Sequence, residues 1–99
     1  MTPTRQTLAP ETAVQASGDV LASTFEDEMV LLNLKDGVYY GLDGVGTRIW
    51  SLLQQPTTIA AIRDAVMADY AVDASRCEDD LRALLGELLR RDLAVVIRA

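Results

Sequence analysis

Histidine is absent from the 99 residues, and Cys77 is the only cysteine. These two scarcities exclude Cys/His zinc sites, Ser-His and Cys-His nucleophile pairs, and any disulfide within the chain. A single unpaired cysteine suits a reducing cytosol, where Cys77 would act as a small hydrophobe on the apolar side of a helix. Lysine is nearly missing too: Lys35 is the only one, and the other cations are arginines. With 15 acids against 9 bases the formal charge is −6, a surface that repels phosphate backbones and disfavours a nucleic-acid partner. No apolar run approaches the ~20 residues of a membrane span, and the stretch from Met1 to Asp19 lacks the apolar core of a signal peptide. The expectation is a soluble, cytoplasmic protein. Aromatics make up 5% of the chain, so Leu and Ala must form the core, which favours helices with a small sheet.

Residues 1–19, with Pro3, Pro10 and Gly18 among small polar residues, hold no sustained period and are expected to be a flexible N-terminal segment. Residues 20–99 form the one folded domain. Its first part reads as three strands: Val20–Phe25, then Met29–Leu34 after the charged turn Glu26-Asp27-Glu28, then Val38–Leu42. Asp36-Gly37 between the last two suits a two-residue type I′ hairpin, whose central residues both take positive φ. That turn would set Leu34 opposite Tyr39 and Leu32 opposite Gly41. Val30, Leu32, Leu34, Tyr39 and Gly41 would then share one face; Met29, Leu31, Asn33, Val38, Tyr40 and Leu42 would share the other. A bulge in the turn would slip this by one residue and exchange the faces. Both faces are largely apolar, so each requires a cover.

Three helices follow. The first spans Val45–Gln54 and stops at Pro56. The second starts at Thr57 or Thr58 as N-cap and runs to about Tyr70. The third covers about Arg76–Arg91, opened by the S-x-x-E capping box Ser75/Glu78. At 100° per residue, Cys77, Leu81, Leu84, Leu85 and Leu88 share one arc of it. Glu78 and Arg82 flank that arc on the Leu89 side, and Asp80, Glu87 and Arg91 flank it on the other. Leu93–Ile97 closes the chain as a short extended segment. The expected fold is α+β, a three-stranded antiparallel sheet followed by three helices (β-β-β-α-α-α), winged-helix-like with its wing moved to the front.

Two motifs invite chemistry and do not carry it. Gly41-Leu-Asp-Gly44-Val-Gly46 departs from G-x-G-x-x-G, has no Walker lysine and is followed by no βαβ unit. The same Gly41-x-x-Gly44 copies a KH loop, but only Arg48 lies beside it. Turning sharply from strand to helix is sufficient reason for these glycines, and a bare Gly41 lets a second backbone approach closely. The acids Glu26-Asp27-Glu28 diverge in a turn, and Asp79-Asp80 sit in a helical first turn where the dipole favours them. Catalytic group, cofactor and metal are all expected to be absent. Tyr39 and Tyr40, adjacent on a strand, must point to opposite faces: one packs in the core, and the outward one either covers the sheet or lines a groove for a ligand.

The segments Val30-Leu-Leu-Asn-Leu-Lys-Asp-Gly-Val-Tyr-Tyr-Gly-Leu-Asp-Gly-Val-Gly-Thr-Arg-Ile-Trp-Ser-Leu-Leu53 and Asp79-Asp80-Leu-Arg-Ala-Leu-Leu-Gly-Glu-Leu-Leu-Arg-Arg-Asp-Leu93 resemble the PqqD-like family, and within it the standalone recognition proteins of lasso-peptide clusters. One departure is Asp92, where the family often places glycine after the last helix; aspartate tolerates a left-handed cap less well. The resemblance implies a non-enzymatic adaptor that binds the leader segment of a ribosomally made precursor peptide as an added strand. The implied site is the strand Val38, Tyr39, Tyr40, Gly41 and Leu42, walled by Leu81, Arg82, Leu85 and Leu89 of the third helix, although Leu81 and Leu85 also suit the core. The implied partners are the leader peptide, a leader peptidase of the transglutaminase-like cysteine protease type, and a cyclase. The alternatives are a peptide chaperone of coenzyme PQQ synthesis and a winged-helix transcriptional regulator. The latter needs a basic recognition helix, yet Arg76–Arg91 balances four arginines with four acids.

Overall fold

The computed structural model describes residues 9–26 and 28–97. Nine elements follow in the order β1 (Ala13–Ala16), β2 (Val20–Phe25), β3 (Glu28–Asn33), β4 (Tyr39–Leu42), α1 (Gly44–Leu52), β5 (Thr57–Thr58), α2 (Ile59–Asp69), α3 (Ala74–Arg90) and β6 (Ala94–Ile97). They include the antiparallel sheet β2-β3-β4 followed by three helices, an α+β arrangement, and add a second small sheet, β5-β1-β6.

That second sheet corrects the reading of residues 1–19 as a flexible lead-in. Ala13–Ala16 pairs along its whole length with β6 and at Ala13 and Val14 with β5. Ala16 N–H also donates to the Leu53 carbonyl, and Ser17 N–H to that of Leu93. Val14 is fully buried. A four-residue strand has no periodicity strong enough to announce itself; its partners lie about 40 and 80 residues downstream, so only the closed chain reveals the pairing. Residues 1–8 lie outside the described residues.

The β3–β4 hairpin differs from the expected two-residue turn. Leu32, not Leu34, faces Tyr39, and Val30 faces Gly41. Asn33 takes over the turn: its side-chain oxygen accepts from Lys35 N–H at 2.9 Å, and its carbonyl accepts from Gly37 N–H. Asp36 Oδ1 caps Val38 N–H. Only Gly37, at φ 73°, takes the left-handed conformation there. Asn33 and Asp36 thus offer Asx-type bonds that outcompete the tighter turn. The slip is two residues, which preserves parity, so the expected face membership survives.

Each helix starts on an oxygen-bearing cap. Asp43 Oδ1 accepts from Gly46 N–H, Thr58 Oγ1 from Ala61 N–H, and Asp73 Oδ2 from Arg76 N–H. The third replaces the expected Ser75 capping box: Asp73 lies two residues earlier and extends the helix to Ala74. The C-terminus of α3 closes with a Schellman motif. Asp92 N–H donates to the Leu89 carbonyl and Leu93 N–H to that of Leu88. Asp92 adopts φ 59°, the conformation that glycine takes more easily. Leu88 and Leu93, both buried, supply the apolar contact that accompanies the motif.

The core lies between the sheets and the helices. Leu31 and Leu42 enter from the larger sheet and Val14, Leu93 and Ala94 from the smaller one and its approach. Ile49, Trp50 and Leu53 enter from α1 and its end, Ile62 and Val66 from α2, and Leu81, Leu85 and Leu88 from α3. All belong to one buried cluster. Among the described residues Asn33 is the one buried polar residue, and its Nδ2 donates to the Arg91 carbonyl at 2.9 Å, tying β3 to the end of α3.

Candidate functional site

Among the described residues, the last strand of the larger sheet, β4, has one neighbour. Asn33 N–H donates to the Val38 carbonyl, so in this register the next hydrogen-bonded pairs are Leu31 with Tyr40 and Met29 with Leu42. The backbone groups of Tyr39 and Gly41 therefore point away from β3, toward the open edge. A strand laid there finds two donors and two acceptors in register.

Beside that edge runs a cleft of about 490 Å³. Tyr40, Gly41 and Leu42 of β4 form one side. Arg76, Cys77, Asp80, Leu81 and Leu84 of α3 form the other. Val45 and Ile49 of α1, with Val66, Tyr70 and Val72 at the end of α2, close the apolar interior. The sequence places these walls by simple rules: alternate strand residues turn Tyr40 and Leu42 inward, and steps of three and four on α3 bring Cys77, Leu81 and Leu84 to one side. An added Cβ at Gly41 would meet nothing within 4 Å, so packing within the chain does not demand glycine there.

The expected site residues divide accordingly. Tyr40, Gly41, Leu42 and Leu81 line the cleft. Tyr39 turns to the opposite face of the sheet and is 67% exposed, while Val38 stands exposed in the loop before β4. Leu85 is fully buried in the core, Leu89 packs against the core, and Arg82 pairs with Glu78 at 2.9 Å. Leu85, Leu89 and Arg82 are therefore not part of the cleft wall, which lies on the Asp80 margin of α3. Leu84 and Asp80 were visible in the helical arc and its flank. Which margin met the sheet was not, because that depends on how α3 rotates against β4. Val45, Ile49, Val66 and Tyr70 fit the apolar period of their helices, but nothing local turns those stripes toward the cleft.

The charged residues lining the cleft are Asp43, Arg76 and Asp80. Arg76 lies 3.9 Å from Asp80 with both side chains mostly exposed, so that pair contributes little. Farther along α3, the Arg91 guanidinium lies over the Tyr40 ring at 5.2 Å, a cation–π contact that steadies the ring. Glu87 accepts from Arg91 Nε at 3.0 Å and from Arg90 at 2.7 Å. The Arg91 hydrogen bond foremost holds the Glu87 carboxyl below the usual glutamate range. Burial, reinforced by the charge of Asp80, pushes the Cys77 thiol up and keeps it neutral. Among the described residues no cluster of His, Cys, Asp and Glu could hold a metal ion, and no helix is long and apolar enough to cross a membrane.

Residues 28–94 match the family model described as coenzyme PQQ synthesis protein D, PqqD. The chain belongs to the PqqD family. The matched segment runs from β3 into β6, so it includes every element that lines the cleft. Among solved structures, this PqqD-family chain is similar to TbiB1 in complex with the TbiA(β) leader peptide. The two are 41% identical with a TM-score of 0.76, covering 86% of this chain and 99% of that one. It also shares its fold with a lasso peptide synthetase B1 complexed with the leader peptide, at 22% identity and a TM-score of 0.72, covering 83% of this chain and 96% of that one. No curated protein matches it.

Proposed function

We propose that this chain binds the leader segment of a ribosomally synthesised precursor peptide, in the lasso-peptide setting, and presents it to a leader peptidase and then a cyclase. One observation carries the reading: the outward backbone groups of Tyr39 and Gly41 border an apolar cleft in a chain 41% identical to a protein solved with a leader peptide. The peptide adds as a fourth strand on β4. Its alternate side chains enter the cleft between Tyr40 and Leu84, and backbone bonds contribute affinity with little sequence preference. The protein does no chemistry itself. It raises the local concentration of substrate at the enzyme that cuts it. The shared fold with a lasso peptide synthetase B1 complexed with its leader peptide supports this setting over a chaperone of coenzyme PQQ synthesis.

The test is an anisotropy titration of labelled TbiA(β) leader peptide, joined to amide hydrogen exchange read by NMR. Saturable binding should slow exchange at Tyr39 and Gly41 and leave Tyr40 and Leu42, already bonded to β3, unchanged. Absence of saturation, or protection confined to another surface, would rule out strand addition at this edge.

A further inference from the structure

A strand added to β4 turns its side chains alternately to two faces, and the cleft receives only half of them. The other half must lie over the outer face of the larger sheet. There the paired residues form rows across the strands: Leu21, Leu32 and Tyr39 make one, and Ser23, Val30 and Gly41 the next. The first row is large throughout, with Tyr39 67% exposed at its end. The second is small at both ends, and Val30 stands half-buried between a serine and a glycine. Phe25 and Glu28 form the row beyond. The Ser23–Val30–Gly41 row is therefore a trough between two ridges, open at Gly41 onto the edge where the leader would add.

Nothing within the chain requires glycine at position 41. A Cβ there would meet no atom within 4 Å, and Gly37 is the glycine that takes a positive φ. A strand position under neither constraint favours a larger residue, and an internal glycine weakens its strand. The bare backbone gains its reason from a neighbour that the chain does not supply. The residue of an added strand that pairs with Gly41 shares its outward face. Its backbone would lie two strand spacings from Val30, roughly 10 Å. An aromatic side chain spans most of that gap, flat across Gly41, with its edge on Val30 and one flank against Tyr39. Aromatic contacts with β-branched residues across strands stabilise sheets, and an aromatic laid over an edge glycine restores the packing that the glycine lacks.

We infer that the trough floored by Val30 and flanked by Tyr39 is a second specificity subsite, outside the cleft, which takes a large aromatic side chain of the leader opposite Gly41. The inference rests on the leader-binding reading. It gives Gly41 a selective role: the glycine admits the leader's side chain, and a larger residue at that position would occupy the trough itself.

The experiment is a guest series on the labelled TbiA(β) leader, bound to the full-length protein. Interstrand nuclear Overhauser contacts to the Gly41 amide identify the paired leader residue, which is then replaced by Trp, Leu, Lys or Ala. Anisotropy should rank the affinities Trp, then Leu, then Lys and Ala together, with about tenfold between Trp and Ala. Gly41→Val, its fold verified by circular dichroism, should compress that spread to about twofold or less. Tyr39→Ala changes an exposed side chain, so it tests the same subsite even if the valine variant does not fold. It should weaken the Trp guest about threefold and leave the Ala guest unchanged. Saturable binding with a flat series in wild type would overturn this subsite and leave the leader reading standing. A spread that survives both substitutions would also overturn it, as would a Lys guest that binds best, since the acid at Glu28 would then be reading charge. Absence of saturation with every peptide would sink the leader reading and the subsite together.

Discussion

Leu84 and Leu85 are neighbours on α3 with opposite duties, and truncating each to alanine should separate the cleft from the core. Leu85 is fully buried. Removing its outer carbons leaves a cavity in a close-packed interior, which costs about 3 kcal/mol within a usual range of roughly 2–5. For a domain of this size that lowers Tm by roughly 12–24 °C. The protein should still fold at 20 °C, since such domains hold about 5–15 kcal/mol. Leu84 is only half-buried and lines the cleft. A bound peptide would cover on the order of 50 Å² of its remaining surface; at about 25 cal/mol per Å² that is about 1.25 kcal/mol, or roughly eightfold in Kd. Its stability cost should be near 1 kcal/mol. The assays are thermal unfolding by circular dichroism and anisotropy with the labelled TbiA(β) leader, at a temperature where both variants are fully folded. Leu84→Ala should lose affinity with a small change in Tm, and Leu85→Ala should lose Tm with an affinity close to wild type. An unchanged Kd for Leu84→Ala, or a folded Leu85→Ala with the larger loss of affinity, would mean that the peptide meets the other margin of α3.

Asn33→Ala removes the buried amide that joins the Lys35 N–H to the Arg91 carbonyl; denaturant unfolding should show a loss of about 2–3 kcal/mol, since two bonds vanish and a partner is stranded. Asp92→Gly relieves a side chain held at φ 59° and should raise stability by about 0.5 kcal/mol, a small increase in Tm; a decrease would contradict the Schellman assignment. Cys77, buried and with its thiol pKa raised, should react with iodoacetamide far more slowly at pH 8 than in the urea-unfolded chain, and more slowly again with leader bound. The stability it contributes is present below the ordinary thiol pKa and is lost as pH rises through the raised value, because the unfolded thiol ionises first. Mass spectrometry of the alkylated fraction checks both rates.

Local chemistry alone was enough for much of this protein. The alternation in Met29–Asn33 and Tyr39–Leu42 assigned residues to faces, and that assignment held even though the hairpin slipped by two, because a strand's side chains repeat every two residues. The apolar steps from Cys77 to Leu88 defined the third helix and its buried arc. The Tyr39-Tyr40-Gly41-Leu42-Asp43 stretch carried the family resemblance, and with it the expectation of an open strand. What required the closed chain were the relations between distant segments. Ala13–Ala16 became a strand only because Thr57–Thr58 and Ala94–Ile97 lie on either side of it. The turn at Asn33 was decided by a side chain that also holds Arg91. Which margin of α3 faces the β4 edge follows from how a whole helix packs across a sheet. Periodicity names a buried stripe, but the side of that stripe which meets a neighbour depends on packing summed over all the elements at once.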